Sequence, residues 1–407
     1  MEQTARTAAR PSIETSPFPP VFRQDGAAPL DLVAGREGRR LQVRTATRAL
    51  EGMQKEALVS YGPTQAAWRI VCDEGPWLNG TDLAPFPLGY FSAGLTASYM
   101  SEFLTHAQRA GIEISGLEVM VDNRYSMEGS LMRGTMVGSA FPVDVRFRAN
   151  TSADGETVLK LGHLAVASSP ADALLRNAVD SLFTLNHNGS QVPVTKVAAS
   201  PASQHPNPYP LFEQAAPPQP PDFASDILER LDDMDTLGGE KLGTERASSN
   251  VGLSDNQKRQ VHVRCVGTLR NDGMKELQVA CFKPIGSVFK LLSDDSVAVG
   301  GKERAPSGLA YLSAGLSFCF MTQLGRYAHV AKHALHSYQI VQDTSFSPPA
   351  AINDEETPPS SAAVTTDVFV ADDENSDAAG TLLNMGEQTC YLHAACRSAL
   401  KTRIRPS

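Results

Sequence analysis

Hydrophobic and polar residues alternate along several short stretches of this chain, and the alternation gives way elsewhere to long apolar runs. QVHVRCVGTLR (260–270), ELQVACF (276–282), SYQIVQDTSFS (337–347) and DVFVAD (367–372) carry the period of two expected of strands with one buried face. Between them Leu309, Leu312, Leu316, Cys319 and Phe320 form one apolar stripe at helical spacing, which predicts a long helix opened by Ala305-Pro306. Ala310, Ser313, Ala314 and Ser317 lie beside the stripe and are small enough to let another backbone come close. A second helical pattern covers about 378–399. Strands, a long helix, more strands and a terminal helix predict an α+β domain, with antiparallel sheets around buried helices.

The pattern occurs twice. Residues 84–100 (APFPLGYFSAGLTASYM) align without a gap on 305–321 (APSGLAYLSAGLSFCFM), an offset of 305 − 84 = 221. The same offset pairs Trp68-Arg69 with Phe289-Lys290, Asp73 with Asp294, Gly80 with Gly301 and Tyr125 with Phe346, and it matches the turn signals Gly52-Met53 and Gly273-Met274. The chain therefore reads as a tandem duplication. Its expected divisions are a flexible leader (1–38), a first repeat (39–195), a Pro-rich linker (196–254) and a second repeat (255–407). Within the linker, Ile227, Leu228, Leu231 and Met234 predict a short amphipathic helix.

Composition narrows the function. With 36 Lys plus Arg against 45 Asp plus Glu, the 407-residue chain carries a formal charge of −9, which argues against nucleic acid or an anionic membrane as a partner. The basic stretch Arg36, Arg39, Arg40, Arg44 and Arg48 reads as a solvated strand edge. No segment approaches the ~18 to 20 apolar residues of a membrane helix, and the start lacks the apolar core of a secretory signal. Six cysteines without a CxxC pair point to free thiols in a reducing cytoplasm.

Two cysteines carry the candidate chemistry. Cys319 on its apolar stripe is either inert packing or, given a neighbouring cation, a nucleophilic thiolate. In a continuous helix Cys390, His393 and Arg397 would share one face, biasing that thiol towards ionisation, or else His393 and Arg397 simply complement the helix dipole. Cys396 falls well around the helix from Cys390, while Cys72, Cys265 and Cys281 sit in strand patterns as packing residues. His329, His333 and His336 have a spacing that suits a metal only if the helix persists, and no carboxylate or thiol completes the set, so no metal or other cofactor is expected. Gly300-Gly301 reads as a tight turn into the helix, or as an anion cradle.

The order strands, Gly loop, Pro-opened helix with Cys319, strands and a last helix with Cys390 resembles the OsmC/Ohr family of thiol-dependent peroxidases. The wording of GGKERAPSGLAYLSAGLSFCFMTQLGRYA and GEQTCYLHAACRSALK is similar to its OsmC-related branch. The resemblance implies two tandem OsmC-like domains forming an intrachain pseudo-dimer, with active sites near the interface. It further implies that Cys319 attacks a small organic or hydrogen peroxide, that Cys390 resolves the sulfenic acid as a disulfide, and that an external dithiol regenerates the enzyme. His393 would assist Cys390, and the family's arginine and glutamate would fall to Arg69 or Lys290 and to Glu303. The chain departs from the family in register. Counted from Pro306, the family's attacking cysteine falls on Ser317, nearly the opposite helix face from Cys319, and Ser307 replaces the usual glutamate. The first repeat has Ser98 opposite Cys319 and, by an internal match, Ala173 opposite Cys390, so it is expected to lack a thiol site. The intrachain pseudo-dimer is also open to assembly into a homo-oligomer. Two alternatives remain: a non-catalytic binder of a small hydrophobic ligand, or a hydrolase using Ser317 with His393.

Overall fold

The computed structural model describes residues 10–24, 40–62, 67–217, 226–232, 234–242, 257–297, 300–347 and 358–406. The first half holds β1 (Val21–Arg23), β2 (Leu41–Ala49), β3 (Lys55–Tyr61), β4 (Ala67–Cys72), α1 (Pro87–Arg109), β5 (Gly116–Gly129), β6 (Val137–Ala140), β7 (Asp144–Asn150), α2 (Gly155–Ser168), α3 (Pro170–Arg176) and β8 (Ser181–His187). The middle carries β9 (Ser190–Val192), β10 (Ala198–Ala199), α4 (Tyr209–Gln214), β11 (Leu228–Leu231), β12 (Thr236–Leu237) and β13 (Glu240–Lys241). The second half holds β14 (Gln257–Leu269), β15 (Lys275–Lys283), β16 (Val288–Ser293), α5 (Gly308–Ala331), β17 (Leu335–Ser347), β18 (Ser360–Ser361), β19 (Val364–Asp372), α6 (Ser376–Thr389), α7 (Tyr391–Arg397) and β20 (Arg403–Ile404). This is a mixed α+β architecture.

Each large sheet takes strands from both halves. One runs β1-β4-β3-β2-β17-β19-β8-β10, and the other β11-β16-β15-β14-β5-β7-β20. The joins are long antiparallel ladders, β2 with β17 and β5 with β14. Between the sheets α1 and α5 cross. Residues 308–324 of α5 are buried on every side, so its apolar stripe widens into an all-round core helix. Ser307 caps it by accepting from the Ala310 N–H, and Lys332 closes it in the left-handed conformation.

Glycine sets the closeness of that crossing. A Cβ on Gly94 would sit 2.4 Å from the Leu312 amide nitrogen and 2.5 Å from the Gly308 carbonyl oxygen. A Cβ on Gly315 would sit 2.5 Å from the Phe91 nitrogen and 2.8 Å from the Pro87 oxygen. Tyr90 and Tyr311 stack across the same crossing at 5.7 Å, and their hydroxyls donate to the carbonyls of Val71 and Leu292.

Three expectations are corrected. The expected amphipathic helix is absent at residues 227–232: Leu228–Leu231 is a strand paired with β16, whose open edge satisfies more backbone groups than an isolated turn of helix. The terminal helix is broken at Cys390, whose extended backbone (φ −74°, ψ 115°) separates α6 from α7. Part of the supposed leader is built in. Val21 and Phe22 are buried where β1 pairs with β4, and Arg10 donates to the Leu335 carbonyl. Of the basic stretch, Arg36 and Arg39 lie outside the described residues, while Arg44 pairs with Asp343 and Arg48 with Glu56.

One ion cluster has a measurable consequence. Asp122 on β5 is 2 % exposed and accepts from His262 and from both Nε and Nη2 of Arg264, with Arg146 at 3.3 Å. Burial opposes its charge, but these donors outweigh burial and hold the carboxyl well below its usual range. Because the folded-state pKa lies below the unfolded value of about 3.9, the stabilisation is complete above that value and is lost as pH falls through the folded pKa. Asp122→Asn should therefore cost about 1.5 to 3 kcal/mol at neutral pH, because buried Arg264 loses a two-pronged carboxylate partner and keeps only Glu240 at 3.2 Å. Denaturant unfolding at pH 7 and below pH 4 checks this, since the gap to wild type should narrow in acid.

Candidate functional site

Cys319 lies mid-way along α5, and Cys390 is the single extended residue between α6 and α7. The break at Cys390 points its sulfur at α5. The two thiols are close enough for each to shift the ionisation of the other, with the Leu392 backbone acting on Cys319 and His393 acting on Cys390. Both residues are buried, at 2 % and 0 % exposure. Burial pushes the Cys319 thiol up, reinforced by the hydrogen bond and charge of Cys390. Burial also opposes ionisation of Cys390, but there the Cys319 hydrogen bond and the field and donors of His393 outweigh it, leaving Cys390 well below the usual thiol range. The His393 ring is wedged against Phe183 and Phe320, with neither nitrogen making a well-formed hydrogen bond, so it acts on Cys390 mainly through its field.

Cys319, but not Cys390, lines a cavity of about 230 Å³ between the halves. Trp77, Leu78, Phe86 and Leu88 give it an apolar side. Glu74, Arg259, Thr322 and Arg326 are among the polar groups of its other side, with Lys258 and Lys283, and Cys281 is a second thiol on the wall. Thr322 and Arg326 stand three and seven residues beyond Cys319 on the same helix face. Glu74 follows β4 from the other half, accepts from the Thr322 hydroxyl at 2.6 Å and lies 4.0 Å from the buried Lys55 ammonium. Burial raises the Glu74 carboxyl above its ordinary range, only partly offset by Lys55 and Thr322. Arg326 donates to Gln323 at 2.8 Å, and burial lowers its pKa. Arg259 is held down to about 10 by burial and by the charge of Arg326. Tyr391, also on the wall, is pushed up to about 12 by burial.

Of the six residues singled out in sequence, three meet here: Cys319, Cys390 and His393. The other three are engaged elsewhere. Arg69 bonds Glu56 and the Pro19 carbonyl inside the first sheet. Lys290 pairs with Glu229 where β16 meets β11. Glu303, with φ of 54°, accepts from the Val297 N–H and lies 3.8 Å from Arg23. Arg397 pairs with Glu387 because the helix break turns it away from Cys390. Glu74, Thr322, Arg259 and Arg326 were missed. The helical spacing from Cys319 pointed to Thr322 and Arg326, whereas Glu74 and Arg259 come from other elements and needed the fold.

The hydrolase pairing has no geometry: the Ser317 hydroxyl is bonded to Thr47 in the core. The three histidines do not converge. His333 bonds Asp372 and His336 bonds Asp373, while His329 is exposed on the last helical turn of α5. Among the described residues no group of three or more His, Cys, Asp or Glu could hold a metal, and no helix is long and apolar enough to cross a membrane.

The first half contains a sulfur-free counterpart. Ser169 joins α2 to α3 as Cys390 joins α6 to α7, and 169 + 221 = 390, so Ser169, rather than Ala173, stands opposite Cys390. Ser98, opposite Cys319, shares a hydrogen bond of 2.9 Å with Ser169. Ser101 bonds Asp295 at 2.8 Å, as Thr322 bonds Glu74.

No family profile and no curated protein matches the chain. Among solved structures, an OsmC-like hydroperoxide resistance protein from Jannaschia sp. CCS1 aligns at 24 % identity over 33 % of this chain and 83 % of its own, with a TM-score of 0.20.

Proposed function

We propose that this chain is an OsmC-like thiol peroxidase whose two repeats stand in for the subunits of an intimate dimer, with one working site. The observation that carries the reading is a pair of thiols that shift each other's ionisation, of which Cys319 and not Cys390 lines a cavity that also presents Arg259, Arg326 and Glu74. Contacts repeated 221 residues apart at the helix crossing, the tyrosine hydroxyls and the serine pair support the doubled arrangement.

In the resting pair Cys390 holds the thiolate and Cys319 donates its S–H to it. As a peroxide enters, Cys319 passes that proton to Cys390 and attacks the terminal peroxide oxygen. The S–O bond forms, the O–O bond breaks, and the alkoxide leaves with a proton taken back from Cys390. Arg326 and Arg259 stabilise the charge moving onto the departing oxygen. Cys390 then attacks the sulfenic sulfur of Cys319 and expels hydroxide, which a proton from solvent converts to water. Two electrons pass from the thiols to the peroxide. An external dithiol in a reducing cytoplasm restores the pair by exchange.

Mixing reduced protein with one equivalent of cumene hydroperoxide and counting thiols tests this. Two of the six free cysteines should be lost, and an unchanged count rejects the reading. The apolar side of the cavity also suits a hydrophobic ligand held without turnover, which saturable binding with an unchanged thiol count would favour.

The serine pair yields a further expected result. In a Cys319→Ser, Cys390→Ser background, Ser98→Cys with Ser169→Cys should form a new disulfide on mild oxidation, because the two hydroxyl oxygens already lie 2.9 Å apart. Peptide mapping under non-reducing conditions reads the link.

A further inference from the structure

Beyond Trp77 and Leu78 lies a second cavity, of about 600 Å³, that shares these two side chains and the Arg259 and Arg326 walls with the thiol cavity. Its outer walls are the Gly52-Met53 turn, the last turns of α5 and the start of β17. What distinguishes it is charge. Arg10, Arg259, Arg326 and Lys332 all line it, His329 and His333 join them, and among the described residues no carboxylate does. Two acids act on its walls from behind: Glu74, whose charge is felt by Arg326, and Asp372, which bonds the His333 Nε2 at 2.8 Å.

Arg10 and Arg326 are held in place. Arg10 is tied to the Leu335 and His336 carbonyls, with its guanidinium over the Tyr338 ring at 5.8 Å. Lys332 closes α5 in the left-handed conformation and lies exposed at the rim. Arg326 is braced by Gln323. Arg10 and Lys332 at the rim and Arg326 inside, the last partly offset by Glu74, leave the hollow more positive than a chain of net charge −9 would suggest, and a monoanion would compensate that only in part. A volume of this order accommodates a small metabolite.

We infer that this cavity binds a small molecule carrying two or more negative charges on oxygen, a phosphate ester or a polycarboxylate. Arg259 and Arg326 hold it at the inner wall, and Arg10 and Lys332 hold it at the rim. Because the inner pair also walls the thiol cavity, the bound anion sits next to the site of chemistry without touching either sulfur.

Isothermal titration of the reduced full-length chain with pyrophosphate, citrate and acetate at about 0.15 M salt tests the inference, with surface charge largely screened. Pyrophosphate or citrate should bind once per chain, and acetate should not saturate. Lys332→Asn, which suits the left-handed backbone, should weaken the polyanion about tenfold, and adding Arg10→Gln should weaken it further. Cys319→Ser should bind as wild type does, which separates this inference from the thiol reading. Failure of both polyanions to bind, equal binding of acetate, or full affinity in Lys332→Asn would overturn it.

Discussion

A Cys319→Ser protein should consume organic hydroperoxide no faster than the uncatalysed background, a loss of ~10³-fold or more, because the hydroxyl left behind is a poor nucleophile. The size of the effect follows from position: of the two neighbouring thiols Cys319 and Cys390, only Cys319 reaches the cavity. Cys390→Ser should behave differently. It should still react once, slowed because Cys319 loses its proton acceptor, and then stop at the sulfenic acid, which a dimedone adduct would trap. Cys265→Ala, remote from the cavity and with its thiol pushed up to about 12 by burial, should retain activity. Steady-state consumption of cumene hydroperoxide with dithiothreitol as reductant separates the three. Activity in Cys319→Ser would assign the chemistry elsewhere.

The largest effect on stability is expected at the helix crossing. Gly94→Val places a Cβ 2.4 Å from a backbone nitrogen of α5, and Gly315→Val places one 2.5 Å from a backbone nitrogen of α1. Neither obstacle is a side-chain end that can rotate away, so the helices must part. Overpacking of a core costs about 1 to 3 kcal/mol when side chains can yield, and more is expected here. Against a total of about 5 to 15 kcal/mol, either variant should be severely destabilised, and both together should not fold. Either single change should also depress peroxide consumption, since Gly315 lies one turn before Cys319. A melting temperature within about 2 °C of wild type for Gly94→Val would show that the crossing tolerates separation.

What sequence alone revealed follows from where the constraint lies. The offset of 221 stands out around the two glycines because close backbone approach permits few substitutions there. The strands were legible from alternation, but which strands pair across the halves was not, since a ladder such as β2 with β17 joins residues about three hundred apart. The break at Cys390 carries no glycine or proline, so helical periodicity ran straight through it and placed Arg397 on the wrong side. Arg69 and Lys290 sit in the expected strands, yet cross-strand carboxylates of Glu56 and Glu229 claim them. Ile227 to Met234 satisfied a helical period by chance of spacing, and the unfilled edge of β16 decided the outcome. Glu74 could not be found this way, because it reaches Thr322 from the opposite half of the chain.

Everything chemical in this account depends on two thiols acting as one unit. Treating the reduced chain with one equivalent of cumene hydroperoxide, digesting it without reduction and mapping the linked peptides by mass spectrometry tests that most directly. The expected result is one new cross-link, joining the peptides that hold Cys319 and Cys390, with Cys72, Cys265, Cys281 and Cys396 still reduced. Both peptides recovered unlinked and unoxidised, or a link formed through any other cysteine, would contradict it.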